Sequence, residues 1–201
     1  MEEDNQSGHV PAQVTGSKMD AVDERTTTTE EEAELLFNRA AIRLRNVNEW
    51  EAYAGISGFK LTDANGAILD RQAEIGDFIC IDIPGPGTKA GDGYDWVKIT
   101  SIKSSGENGE QILSMTVHPT QNPLTEKDNT AHFLKDGASS TFIVRKKGLV
   151  VYAEEHGRNE EPNTDEGNVY DKARNFVVGM AAKAGFSYPQ WKSLVKGLLA
   201  D

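Results

Sequence analysis

The chain has 201 residues, room for one domain with appendages, and only 37% of them are hydrophobic, a low fraction for a compact globule. Its formal charge is −11, from 32 acidic and 21 basic residues, which argues against general binding along a nucleic-acid backbone, where Lys and Arg must displace counterions. No apolar run reaches the roughly 18 residues of a membrane span, and the start MEEDNQSGHV lacks the basic and apolar regions of a signal peptide, so a cytoplasmic location is expected.

Residues 1–28 combine few large apolar side chains with many charges and the run TTTT. They read as a disordered acidic tail, because such a segment buries too little to offset its ordering entropy. Thr29 and Glu32 then stand at capping-box spacing, and Glu30, Glu31, Glu32 and Glu34 sit where a helix dipole is positive. Leu36, Phe37, Ala40, Ala41 and Leu44 follow at helical spacing. The N-terminal helix is assigned to 29–48.

Residues 49–163 read as a β-rich domain. GFKLTDANGAIL has the form of a hairpin around Asn65-Gly66, and IGDFICIDI is strand-like. PGPGTKAGDG breaks any regular ladder. YDWVKITSI is a strand with Trp96, Lys98 and Thr100 on one side and Asp95, Val97 and Ile99 on the other. SSGENGEQ turns into ILSMTVHP, and STFIVRKKGLVVYAEE is another hairpin, turning at Lys147-Gly148. Short strands between glycine-rich turns imply an antiparallel barrel or sandwich of α+β class, SH3-like in flavour around GDGYDWVKI. Residues 164–201 return to helical spacing twice, around Phe176 and around Trp191. They read as a C-terminal helical hairpin packed on the β domain or on a partner.

The densest polar stretch is EEHGRNEEPN, residues 154–163, placed just past the last strand. His156 is a candidate general base with Glu155 or Glu160 orienting its ring. Alternatively, Gly157 makes a turn while Arg158, Asn159 and Asn163 bond the loop backbone. A third reading leaves the charges solvated or facing a partner. Arg158 and Asn159 are therefore assigned to holding the strand exit, with Tyr94 and Trp191 as further contact residues for a partner. His118, His132 and His156 have no metal-ligand spacing, Ser139 and Ser140 lack a nucleophile elbow, and the glycine-rich loop with Lys89 lacks the P-loop order. Cys80 reads as a buried structural thiol. No cofactor or metal is expected. The chain is expected to be a non-catalytic protein-interaction or assembly module of a bacterial cytoplasmic complex, with a protein partner or a second copy of itself. The alternative is a small hydrolase or transferase using His156 and nearby carboxylates.

Overall fold

A computed structural model describes residues 8–55, 57–82, 91–107, 109–125, 130–163 and 188–201. Its strands are β1 (Ser17–Thr26), β2 (Gly58–Thr62), β3 (Phe78–Asp82), β4 (Asp95–Glu107), β5 (Glu110–Pro119), β6 (Ser139–Lys147) and β7 (Val150–Glu160). Its helices are α1 (Glu30–Arg45), the single turn α2 (Glu51–Ala54) and α3 (Tyr188–Leu198), with a 3₁₀ turn at Val47–Glu49. All strand pairs are antiparallel, and they form one sheet in the order β1-β7-β6-β5-β4-β3-β2. The fold is thus α+β, and the sheet is open rather than closed into a barrel or split into a sandwich.

The main departure from the sequence reading is β1. Residues 17–26 of the expected disordered tail form an edge strand against β7. Apolar burial contributes little there: Ala21 is buried and Val22 is 40% exposed. Order comes from the ladder with β7 and from charge pairs. Lys192 reaches Asp23 at 2.8 Å, and Arg25 reaches Asp201 at 2.7 Å. Charges along an edge strand also discourage pairing with another chain. Residues 8–16, ahead of β1, are likewise placed against the sheet.

Helix α1 starts where its capping residues put it. The Thr29 hydroxyl accepts from the Glu32 N–H at 3.1 Å, while the Glu32 carboxylate accepts from the Thr28 N–H at 2.9 Å. Ala33, Leu36, Phe37, Ala40 and Leu44 are buried against the sheet. The facing side of the sheet, its inner face, contributes Phe59, Leu61, Ile79, Val97, Ile99, Met115, Phe142, Val144, Val151 and Ala153 to the same core. Each large side chain buried here is worth about 1.5–3 kcal/mol. Trp50 lies among them, with ring centroids 5.6 Å from Phe59 and 4.8 Å from Phe142.

Helix α3 closes this core with Leu194, Val195 and Leu198, and contacts α1, α2, β1 and β7. Gly197 has a packing reason: a Cβ there would stand 2.5 Å from the Tyr53 Cβ. The Arg43 guanidinium donates to the Gly197 and Leu198 carbonyls at 3.3 Å, capping the helix end. The other half of the expected C-terminal hairpin, residues 164–187, lies outside the described residues, as does the glycine-rich loop from 83 to 90 with Lys89.

The turns follow local chemistry. Gly66 takes φ 75°, and the Asp63 carboxylate accepts from the Asn65 and Ala67 N–H groups at 2.8 and 2.9 Å. The β6–β7 turn is Gly148-Leu149, one residue past the predicted position, since Lys147 pairs with Val150. On β4, Asp95, Val97 and Ile99 share the inner face. A register shift between Ile99 and Ser101 then breaks the alternation at Thr100.

Candidate functional site

Strand β7 runs on through His156 and Arg158 to Glu160, so EEHGRNEEPN is mostly strand and not an exit loop. Gly157 makes no turn: it pairs with Met19 on one side and Ser140 on the other. The irregularity falls at Asn159, whose φ is 55°. Three steps from Gly157 to Glu160 oppose two from Met19 to Ser17, the signature of a bulge. The strand continues because β1, within the segment expected to be disordered, supplies a second ladder.

Alternation on β7 divides the polar residues between two faces. Glu154, His156 and Arg158 project from the outer face, opposite the helices. Glu155 and Gly157 share the inner face with Val151 and Ala153.

The outer face carries an alternating chain of charges. The His156 Nδ1 is 2.6 Å from Asp20 Oδ1, and its Nε2 is 2.9 Å from Glu154 Oε2. The other Glu154 oxygen accepts from Arg145 Nε and Nη2 at 3.0 and 2.9 Å, and Arg145 Nη1 reaches Glu110 at 3.3 Å. At the other end Arg158 Nη1 lies 2.6 Å from Asp20 Oδ1 and donates to the Gly157 and Met19 carbonyls at 2.8 and 3.2 Å. The sequence of signs is Glu110, Arg145, Glu154, His156, Asp20, Arg158. The middle is buried, with Glu154 1% and His156 5% exposed.

Burial opposes a charge on His156, but hydrogen bonds to Asp20 and Glu154, and their charges, win and raise its pKa to about 9. For Asp20, burial is opposed by hydrogen bonds from His156 and Arg158, and the net shift is down to about 2. For Glu154 burial pushes up, while His156 and Arg145 pull further down. The ring is therefore an imidazolium at neutral pH, with both N–H groups donated to carboxylates. A general base needs an unprotonated nitrogen within reach of a substrate proton; His156 has neither.

A strap made of residues 8–16 lies across this face. His9 Nδ1 is 2.6 Å from the Ser114 hydroxyl and Nε2 is 3.1 Å from the Ser105 hydroxyl. Val10 is buried with Ile112 and Ile143, and Lys103 donates to the Gly8 carbonyl at 2.8 Å. Asn159 fastens the far end: its Oδ1 accepts from the Val14 and Thr15 N–H groups at 2.7 and 3.1 Å. Its Nδ2 donates to the Ala12 carbonyl at 3.1 Å.

On the inner face Glu155 is 0% exposed, and neither carboxyl oxygen has a hydrogen-bond partner. Burial, then the nearby Glu160 charge, raises its pKa to about 8, against the His156 charge and the Ser140 hydroxyl. Burial raises Glu160 as well, against Ser17 and Arg158.

The remaining candidates do not join this cluster. Tyr94 is 43% exposed just before β4, and Trp191 on α3 lies 5.5 Å from the Phe142 ring and 6.3 Å from that of Phe59. Cys80 is half-buried, and burial followed by the Asp82 and Asp95 charges pushes its thiol up to about 11, so no thiolate is offered at neutral pH. His132 accepts from the Leu134 N–H at 3.0 Å, and no group of three metal-ligating side chains converges among the described residues. Sequence reasoning missed Asp20, Arg145, Glu110 and His9. Asp20 stands between Met19 and Ala21, which face inward in β1, an alternation too poor in large apolar residues to mark a strand.

No family model matches the chain, and no curated protein does. Solved structures give loose likenesses. A hypothetical protein, jhp0584, from Helicobacter pylori is 15% identical at a TM-score of 0.49, over 91% of this chain and 88% of that one. Ara h 8.0201 is 10% identical at 0.39, over 92% of this chain and 100% of that one. Protein MLL2253 from Mesorhizobium loti is 16% identical at 0.37, over 90% and 96% respectively. The strand order and register of the chain itself define its α+β fold.

Proposed function

We propose that the chain is a non-catalytic protein-interaction or assembly module of a bacterial cytoplasmic complex. The observation that carries this reading is the saturation of His156. The residue with the best catalytic credentials in the sequence spends both nitrogens on Asp20 and Glu154, and its charge joins β1 to β7. Helix α1 supports the second half of the reading. Leu35 and Ile42 are 64% and 50% exposed. They stand seven residues apart, on one side of a helix whose opposite side is buried. Among the described residues no helix is long and apolar enough to cross a membrane.

The test is purification of the full chain from its native cells, beside a Leu35→Glu/Ile42→Glu variant. The expected result is an equal thermal midpoint for both and a partner retained only by the wild type. Identical retained proteins would remove α1 from the reading. A folded His156→Gln protein that loses a measured turnover would replace the reading with the enzyme alternative.

A further inference from the structure

Glu155 and Glu160 are brought together on the inner face by two backbone features. Register places Glu155 between Ala21 of β1 and Phe142 of β6. The Asn159 bulge then shifts the alternation. A Cβ on the inward-facing Gly157 would stand 2.4 Å from Glu160 Oε1, so the Glu160 carboxyl is folded over Gly157. Gly157 is the seat for that carboxyl, and any side chain there would displace it.

Burial decreases toward the end of β1 and β7. Glu155 is fully buried, while Ser17, Ser140 and Glu160 are half-buried toward the end of β1 and β7. Ser17 Oγ lies 3.4 Å from Glu160 Oε2. His156 and Arg158 lie on the outer face and are already engaged by Asp20 and Glu154. No ion pair joins Glu155 or Glu160 to a Lys or Arg among the described residues. A fully buried carboxyl with two unsatisfied oxygens is costly to the fold. Two carboxyls close together, with only the outer-face charges of His156 and Arg158 to oppose them, do not readily both ionise.

A ligand that supplies a positive charge and several N–H donors meets every one of these deficits. We propose that Glu155, Glu160 and Ser140 form a binding site for the primary ammonium group of a small organic amine, reached from the end of β1 and β7. Three N–H donors match two carboxylates and one hydroxyl. A divalent metal fits less well, because no third metal-ligating side chain converges with the two carboxylates among the described residues. The only bond broken is the Glu155 carboxyl O–H. The amine stays an ammonium, and Glu155, protonated in the empty site at neutral pH, gives its proton to solvent on binding.

The experiment is isothermal titration of the full chain with n-butylamine at constant ionic strength. It is run at pH 6 and pH 7, each in two buffers of different ionisation enthalpy, with n-butanol and magnesium chloride as comparison ligands. The expected result is saturable binding of butylamine alone, about one proton released per amine, and affinity rising about tenfold between pH 6 and 7. Glu155→Gln is expected to abolish the proton release and weaken binding at least tenfold, on the order of 1.4 kcal/mol. Gly157→Ala keeps every charge but unseats Glu160, and is expected to weaken binding while leaving the proton count intact. It carries the test if Glu155→Gln does not fold. Equal binding of butanol, affinity independent of pH, preference for magnesium, or unchanged affinity in a folded Glu155→Gln protein would overturn the proposal.

Discussion

His156, Asp20 and Glu155 respond to pH in different windows, and the signs follow from their shifts. His156 has its pKa raised from 6.5 to about 9. Its contribution is complete below the unfolded value and is lost as pH rises through 9. Asp20 is lowered from 3.8 to about 2, so its contribution is present above the unfolded value and lost as pH falls through 2. Glu155 is raised from 4.5 to about 8. The fold prefers its protonated form, and stability declines as pH rises between those values. Denaturant unfolding of the wild type from pH 4 to 9.5 is expected to show stability falling from about pH 5 upward, first through Glu155 and then through His156. Glu155→Gln should flatten the curve between pH 5 and 8, and His156→Gln should remove the loss between pH 7 and 9. Parallel curves for wild type and Glu155→Gln would show that Glu155 ionises freely in the fold.

At the scale of elements, β1 and the strap are the part of the chain whose order depends on distant partners. Deleting residues 1–28 is expected to destabilise the protein by several kcal/mol, as losses of whole buried charge networks do, and to bare the β7 edge to self-association. Asp20→Ala isolates the electrostatic share. It leaves His156 and Arg158 without their common carboxylate, at a cost of about 1–2 kcal/mol, below that of a fully buried pair because the Asp20 side chain is 37% exposed. Circular dichroism melting and sedimentation of both variants check this; an unchanged midpoint for the deletion would mean that β1 adds nothing to the fold. Helix α1 was legible in the sequence because its evidence is local: a cap at Thr29, acids in the first turn and one apolar stripe. Strand β1 was not, since SKMDAVDERT has too few large apolar residues to betray a buried face. The same omission turned the end of β7 into an apparent loop.

For the whole molecule, α3 ties the C-terminus back to the start of the chain. Asp201 pairs with Arg25, and Arg43 caps the helix end. Two substitutions separate packing from mere burial. Trp191→Ala removes a half-buried ring from Phe59 and Phe142 and is expected to cost about 2–3 kcal/mol, below the full value for a buried aromatic. Gly197→Ala adds one methyl against Tyr53 and is expected to cost about 1–3 kcal/mol by overpacking. Urea unfolding reads both; a neutral Gly197→Ala would show that α2 and α3 slide apart at no cost.

Local chemistry determined much of this protein. The cap and stripe of α1, the Asn65-Gly66 turn, the β-hairpin content and the apolar face of α3 each depend on residues within a few positions of one another. The face of each polar residue on β7, and the partners they meet, were decided by tertiary structure. His156 could be read as a base because the carboxylate that holds its Nδ1 lies 136 residues earlier in the chain, in a segment whose composition resembles disorder. Pairing in a sheet is set by register between strands, and that register here joins two ends of the sequence whose side chains carry no mark of each other. The isolation of Glu155 has the same origin: its neighbours Ala21 and Phe142 come from two different strands, and neither offers a hydrogen bond.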